Sequence, residues 1–442
     1  MSHRPTAALY TLGCKVNQYE SEAFAEALEA VGFSIVPPTD KADVYIVNTC
    51  TVTSESDRKS RQIIRRLIKQ NPNAYVIATG CSAETDARRI AAIHGVDAVI
   101  GNSRKMDAVR EARRLWESGV KNDTALVDVP PLTGSSFEPM TITHFDRTRA
   151  YIKIQDGCES KCAYCAIPAA RGPVRSKPAH DVISEVDAIC TGGCREVVLT
   201  GIETGAWGRD LKDSDLGSLL RELDALPSVG RIRLGSLDPT VMTPAFVDSI
   251  APLAATAPHF HLSMQSGSAA TLARMRRKYN PRQAEAAMAR VRAAIPDVQF
   301  TTDIIVGFPG ETEEEFAETA AFCRRAEFLH IHVFPYSRRK GTPADEMPDQ
   351  IPDAVKHERV RIISEISSES AAAILDRALD TYRQDGKPLV ALLETHHKTH
   401  MTGHTPNFIE VRVESACNLS GCEVPVYPLR REGEILVCSL NP

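Results

Sequence analysis

No apolar run in this chain approaches the roughly 20 residues needed to span a bilayer. The opening stretch, MSHRPTAALYTLGC, has no apolar core of the signal-peptide kind and runs directly into a strand-like segment. Membrane insertion is therefore not expected, and a cytoplasmic location is the default. Bulk positive charge is also missing. The net charge is −5 over 442 residues, which argues against holding nucleic acid by charge alone and leaves only local basic patches for that purpose. The apolar fraction of 43% and charged fraction of 25% are ordinary for a globular protein, and the length allows two or three domains.

Cysteine, by contrast, is plentiful, with twelve residues. In a reducing compartment disulfides explain them poorly, so metal binding gains weight. Three of them fall in DGCESKCAYCAIP (156–168), directly after a strand-like segment. Cys158, Cys162 and Cys165 stand at x3 and x2 spacing and can converge on one centre. Four thiolates would close a zinc site or an ordinary cluster; three leave an iron with an open position for a substrate. A zinc site with a distant fourth ligand is the plain alternative, but no histidine follows closely.

A second trio is dispersed. Cys14, Cys50 and Cys81 follow three successive strand candidates, in TLGC, NTC and TGC. The carboxyl ends of parallel strands share one sheet edge, where open α/β sheets place ligands. The three cysteines can therefore meet, with the small or polar neighbours Gly13, Asn48, Thr49 and Gly80 letting the backbone approach. Buried core thiols are the alternative, although those belong within strands rather than just past them.

The chain divides by pattern. Residues 1–130 alternate strand and helix, as expected of a parallel sheet with crossover helices. Residues 131–147 read as a linker, following the run PPLTGSSFEP at 130–139. Residues 148–380 hold six further strand candidates separated by helices, which fit an incomplete barrel or an open sheet equally. Residues 381–442 carry short strands broken by Gly, Asn and Pro, the pattern of a small β-barrel.

The triplet, with Tyr164 before its last cysteine, resembles the radical S-adenosylmethionine (SAM) enzymes. In that family the open iron chelates SAM, and one-electron cleavage releases a 5′-deoxyadenosyl radical. The resemblance implies a partial (β/α)6 barrel for the central domain. It also implies cofactor contacts from Gly201 and Glu203 in LTGIETGAWG and from Gly307 in IIVGFPGE. Ser236, Gln265 and Asp303, on the third, fourth and fifth strand candidates, are the remaining cofactor candidates, Asp303 and Glu203 doubling as possible helix caps.

YTLGCKVNQYESE (10–22), NTCTVT (48–53) and TGC (79–81) ahead of such a loop resemble the methylthiotransferase branch. That implies an auxiliary [4Fe–4S] cluster on Cys14, Cys50 and Cys81, a doubly wound N-terminal domain, and a C-terminal TRAM-like barrel that binds RNA. It implies two [4Fe–4S] clusters, SAM, a tRNA substrate and an external electron donor such as flavodoxin or ferredoxin. GCKVN (13–17), LTGI (199–202) and TGHTPNFIEVRV (402–413) resemble the members that act on threonylcarbamoyladenosine, with His404 where tyrosine is usual. Methylthiolation of isopentenyladenosine in tRNA, or of a ribosomal-protein aspartate, is the alternative; a purely structural or electron-transfer role for the clusters is the rival from another class. Arg58, Arg61, Arg65 and Lys69, on one face of a helix, are the expected RNA contacts; a solvated helix face is the plain reading.

Overall fold

The computed structural model describes residues 4–145 and 147–442. The N-terminal part is a six-stranded, all-parallel sheet. Its strands are β1 (Thr6–Thr11), β2 (Ser34–Ile35), β3 (Val44–Thr49), β4 (Tyr75–Gly80), β5 (Ala98–Ile100) and β6 (Leu126–Asp128), in the order β2-β1-β3-β4-β5-β6. Every residue of β3 and β4 is buried, as expected of central parallel strands covered on both faces. The helices are α1 (Lys15–Ala30), α2 (Ser54–Gln70), α3 (Cys81–Thr85), α4 (Ala87–Ala91) and α5 (Asp107–Ser118). Helices α3 and α4 are short and are separated by a break at Asp86.

The central part begins with β7 (Arg149–Lys153). A short antiparallel pair, β8 (Gln155–Asp156) with β9 (Arg175–Ser176), follows and was not expected; it brackets the cysteine loop and helix α6 (Ile167–Arg171). Next come α7 (Ala179–Thr191), β10 (Glu196–Thr200), α8 (Leu216–Asp224), β11 (Arg231–Leu234), α9 (Pro244–Ile250), β12 (His259–Gln265), α10 (Ala269–Arg274), α11 (Pro281–Ala294), β13 (Gln299–Val306), α12 (Glu313–Ala326) and β14 (His330–Pro335). Strands β7, β10 and β11 pair in parallel, as do β12, β13 and β14. Parallel bridges at Ile232–Thr256 and Leu237–Leu262 join the two halves. The result is a six-stranded partial barrel in chain order, which decides between the two architectures the sequence left open.

The long helix α13 (Asp353–Asp385) runs past the expected boundary at 380 and stops where Gly386 takes a left-handed conformation. Its later turns pack on the C-terminal closed barrel of β15 (Leu389–His396), β16 (His400–His404), β17 (Glu410–Glu414), β18 (Glu423–Glu432) and β19 (Ile435–Ser439). The histidine-rich segment HHKTH (396–400) forms the turn of the β15–β16 hairpin.

Among the described residues, the segment between the first two parts has no helix or regular strand, yet it is a strap rather than a free linker. Met140 and Ile142 are buried in a core that continues from the inner face of the N-terminal sheet into the wall of the partial barrel. Tyr19 of α1 donates to the Met140 carbonyl at 2.7 Å and to Glu185 of α7 at 2.8 Å. The Glu138 carboxylate accepts the backbone N–H groups of Lys105 and Met106.

Candidate active site

Both cysteine trios lie at carboxyl ends of parallel strands. Cys158, Cys162 and Cys165 line one cavity of about 200 Å³, together with Glu203, Ser236 and Gln265 from the sites the sequence singled out. Asp238, Ser263 and Arg277 also line it. Arg277 donates to Cys162 Sγ at 3.2 Å and to Asp238 at 2.7 Å. Cys158 Sγ lies 3.1 Å from Glu203 Oε2. Burial, then Glu203, pushes the Cys158 thiol up to about 12, so a metal binding there must displace its proton.

Three of the expected cofactor residues are placed differently. Gly201 stands against Gln155; a Cβ there would come within 2.7 Å of Gln155 Oε1, the atom that accepts the Glu203 N–H at 2.8 Å. Its part is to seat Glu203 rather than to line the cavity. Asp303 is mid-strand in β13, not at its end, and faces His261 at 3.3 Å below the cavity. Gly307 makes the turn after β13 with a φ of +71°, and its open side is filled by Lys356 of α13.

The dispersed trio converges as its strand positions required. Gly13, at a φ of +102°, has Cys50 Sγ 2.9 Å from where its Cβ would stand, so a side chain there would collide with the cysteine. Gly80, at +93°, is pressed against Thr49 and Asn48. Cys81 opens α3, which packs against α6 of the other trio's loop. Burial raises Cys14 and Cys50, and in each case Cys81 raises the thiol further. Cys81 also acts on Cys165, so the two trios share one electrostatic neighbourhood.

All six sulfurs accept an N–H. Cys158 takes it from Ser160, Cys162 from Arg277 and Cys165 from Ile167. Cys14 takes it from Asn17, Cys50 from Val52 and Cys81 from Arg171. Neutral thiols have little use for such a set, whereas thiolates holding iron do. The charges around the second trio agree. Arg171 is fully buried and contacts Cys81 Sγ through Nε at 3.1 Å, Glu20 at 2.6 Å and Asn17 at 2.5 Å. Lys105 and Lys153 also pair with Glu20; Lys153, Arg171 and Arg175 surround Asp156. Burial would raise Glu20, but Arg171, Lys105 and Lys153 outweigh it and hold the carboxyl well below its usual range. Glu84 and Glu138 also face these cations, but the Arg171 guanidinium lies directly on Cys81 Sγ, and buried positive charge there favours an anionic partner. Anionic sulfur ligands supply one, so the residues present fit iron–sulfur clusters.

Cys14 and the adjoining Lys15 are exposed to solvent, yet the surrounding protein raises the Cys14 thiol and lowers the Lys15 ammonium, with Arg149 and Arg233 adding to the latter. The remaining cysteines form no comparable set: Cys190, Cys194, Cys323 and Cys438 are buried and Cys417 and Cys422 exposed. Sequence reasoning passed over Arg171, Glu20 and Phe408. The last, in the turn between β16 and β17, stacks between His259 and His404 at centroid distances of 4.5 Å, with Arg149 and Arg233 against its ring. It plugs the amino-terminal end of the partial barrel, and His404, the departure noted in the tail motif, serves as its stacking partner. The expected RNA contacts divide: Arg65 and Lys69 are exposed along a groove of about 740 Å³, Arg61 is half-buried, and Arg58 is exposed but paired with Glu55 at 2.6 Å.

Comparisons with known proteins agree with this geometry. Residues 152–323 match the radical SAM superfamily and residues 6–101 match uncharacterized protein family UPF0004. The radical SAM methyltransferase TsrM from Kitasatospora setae has a similar fold, with a TM-score of 0.58 at 15% identity over 77% of each chain. The radical SAM match thus falls on the partial barrel that carries the three-cysteine loop, and a separate parallel-sheet domain precedes it. A threonylcarbamoyladenosine tRNA methylthiotransferase of Bacillus subtilis (strain 168) is 39% identical over 96% of this chain and 94% of its own. The Aquifex aeolicus (strain VF5) counterpart is 35% identical over 92% and 96%. A tRNA-2-methylthio-N(6)-dimethylallyladenosine synthase of Thermoanaerobacter pseudethanolicus (strain ATCC 33223 / 39E) is 32% identical over 89% and 86%. The chain belongs to the threonylcarbamoyladenosine tRNA methylthiotransferase family.

Proposed function

We propose that this protein adds a methylthio group to C2 of the adenine in N6-threonylcarbamoyladenosine, at position 37 beside the tRNA anticodon, using two [4Fe–4S] clusters and SAM. The observation that carries the reading is the junction of two three-cysteine sites through one buried Arg171–Glu20 network. C2 of an adenine offers no proton that a side-chain base could remove, and the clusters supply one-electron cleavage of SAM and a reservoir of sulfur. Cys158, Cys162 and Cys165 hold one cluster, and Cys14, Cys50 and Cys81 the other. Glu203 accepts the ammonium of the methionine moiety, and Ser236 and Gln265 complete the polar wall. Asp303 and Gly307 leave the cofactor set.

Arg65 and Lys69 track tRNA phosphates, and the C-terminal barrel acts as a TRAM-like RNA-binding module. A flavodoxin- or ferredoxin-type donor supplies the electron, and the work is done in the cytoplasm. Mass spectrometry of tRNA nucleosides from cells with and without the protein tests this. Loss of the 2-methylthio form with accumulation of threonylcarbamoyladenosine is expected. A loss confined to the isopentenyladenosine series would overturn the substrate. Replacing Cys50 with Ala should roughly halve the iron content and abolish methylthiolation while SAM cleavage persists.

A further inference from the structure

Beneath the cysteines lies the interior of the partial barrel. Tyr151, Arg233, His261, Asp303 and His332 point inward there, since their strand neighbours Ala150, Ile152, Ile232, Phe260, Leu262 and Ile331 belong to the outer core. Most charges in this interior are matched. Glu196 takes Arg233 at 2.6 Å and Arg231 at 3.1 Å, and Arg149 takes Glu394 at 3.0 Å, while Asp303 faces the His261 ring at 3.3 Å.

Lys15 is different. Among the described residues its ammonium has neither an ion pair nor a hydrogen bond; its recorded contact is the face of Tyr151, at 5.8 Å from the ring centroid. Arg147 approaches the same ring at 5.8 Å. Lys15 is exposed to solvent, directly after Cys14 and at the first position of α1. That helix carries no acidic residue in its first turn, so its positive end adds to the ammonium.

An accessible, unmatched ammonium beside an aromatic face, adjoining the dispersed trio, is built for an anion. The threonylcarbamoyl group ends in a carboxylate; the isopentenyl group is hydrocarbon. We propose that Lys15 binds the threonyl carboxylate of the target nucleoside and thereby sets substrate choice. The inference rests on the substrate reading above and names the residue that enforces it. A neutral substituent would leave the ammonium stripped of water and unpaired, so the residue rejects as well as selects.

The test uses the full-length holoenzyme and an anticodon stem–loop RNA in three forms: threonylcarbamoyladenosine, its methyl ester, and isopentenyladenosine. The ester keeps the shape and removes the charge. The wild-type protein should bind the free acid about 10- to 100-fold more tightly than the ester, the range for a charge-assisted hydrogen bond. Lys15→Gln should erase that preference with iron content unchanged, and Lys15→Arg should restore most of it. Equal wild-type binding of acid and ester, or a preference that survives in Lys15→Gln, would overturn the assignment while leaving the substrate reading intact. Methylthiolation of the isopentenyl RNA alone would overturn both.

Discussion

Arg171 lies on the helix that follows the Cys158–Cys165 loop, yet its Nε donates to Cys81 Sγ, in the other trio, at 3.1 Å. One guanidinium thus spans the two halves of the chemistry. Replacing it with Met removes a cation beside the auxiliary cluster and leaves Glu20 and Asp156 partly unmatched in the interior. Breaking such a buried network costs roughly 3–5 kcal/mol, readable as a lowered denaturation midpoint. The auxiliary cluster should also become harder to reduce, because positive charge favours the reduced form. A potentiometric titration followed by electron paramagnetic resonance would check the sign; an unshifted potential would remove Arg171 from the electrostatics of that cluster.

Glu196 gives a pH dependence. Burial opposes its ionisation, but Arg233, Arg149 and Arg231 overcome this and lower its pKa from 4.5 to about 2. The folded value lies below the unfolded one, so the stabilisation is complete above the unfolded pKa and is lost as pH falls toward about 2. Its size is on the order of 3 kcal/mol. Chemical denaturation of wild type and Glu196→Gln at neutral and acid pH should show a gap that closes across that window. A constant gap would mean the carboxylate is not what the three arginines hold.

Phe408 couples the small barrel to the large one. Truncating it to Ala removes an aromatic wedge stacked on His259 and His404, a loss of about 3 kcal/mol. The C-terminal barrel should then be released by limited proteolysis near Gly386, where α13 ends. Cleavage no faster than in wild type would argue that α13 alone fixes the barrel.

The helix α2 face separates by pairing state. Arg65→Ala with Lys69→Ala should weaken tRNA binding and reduce the slope of log affinity against log salt by roughly 0.7–0.9 per lost phosphate contact. Arg58→Ala should do less, since its guanidinium is already engaged by Glu55. Fluorescence anisotropy across a salt series distinguishes them, and a dominant Arg58 effect would reverse the assignment.

The sequence made the cysteines legible because each follows a strand. Strand direction then dictates where the thiols gather, whatever their separation along the chain. Glu203, Ser236 and Gln265 reach the wall of the cavity beside Cys158, Cys162 and Cys165 by the same rule. Asp303 was misplaced because β13 begins at Gln299 and extends to Val306, which leaves the aspartate in the middle of the barrel wall. Arg171, Lys105 and Lys153 stayed hidden for a different reason. Basic side chains read as surface by default, and nothing local says that Glu20 waits for all three, Lys105 from its own domain and Arg171 and Lys153 from the next. Phe408 was inside a motif already noted, but its role needs the barrel floor that receives it. The strap at 130–148 was equally opaque, since irregular chain rich in Pro and Ser shows no period even where Met140 and Ile142 are buried.

That strap, with the apolar core it helps to close, bears on how such a chain can be altered. Because one face of the N-terminal sheet is also the packing surface of the barrel wall, the two halves are not interchangeable cassettes. Exchanging the first 130 residues for those of a related protein would remake a seam from Phe24 and Ile100 through Ile142 to Ile152 and Val186. The interval between sulfur store and radical source is therefore inherited from folding, and a lineage can revise its choice of substrate residue by residue without ever resetting that distance.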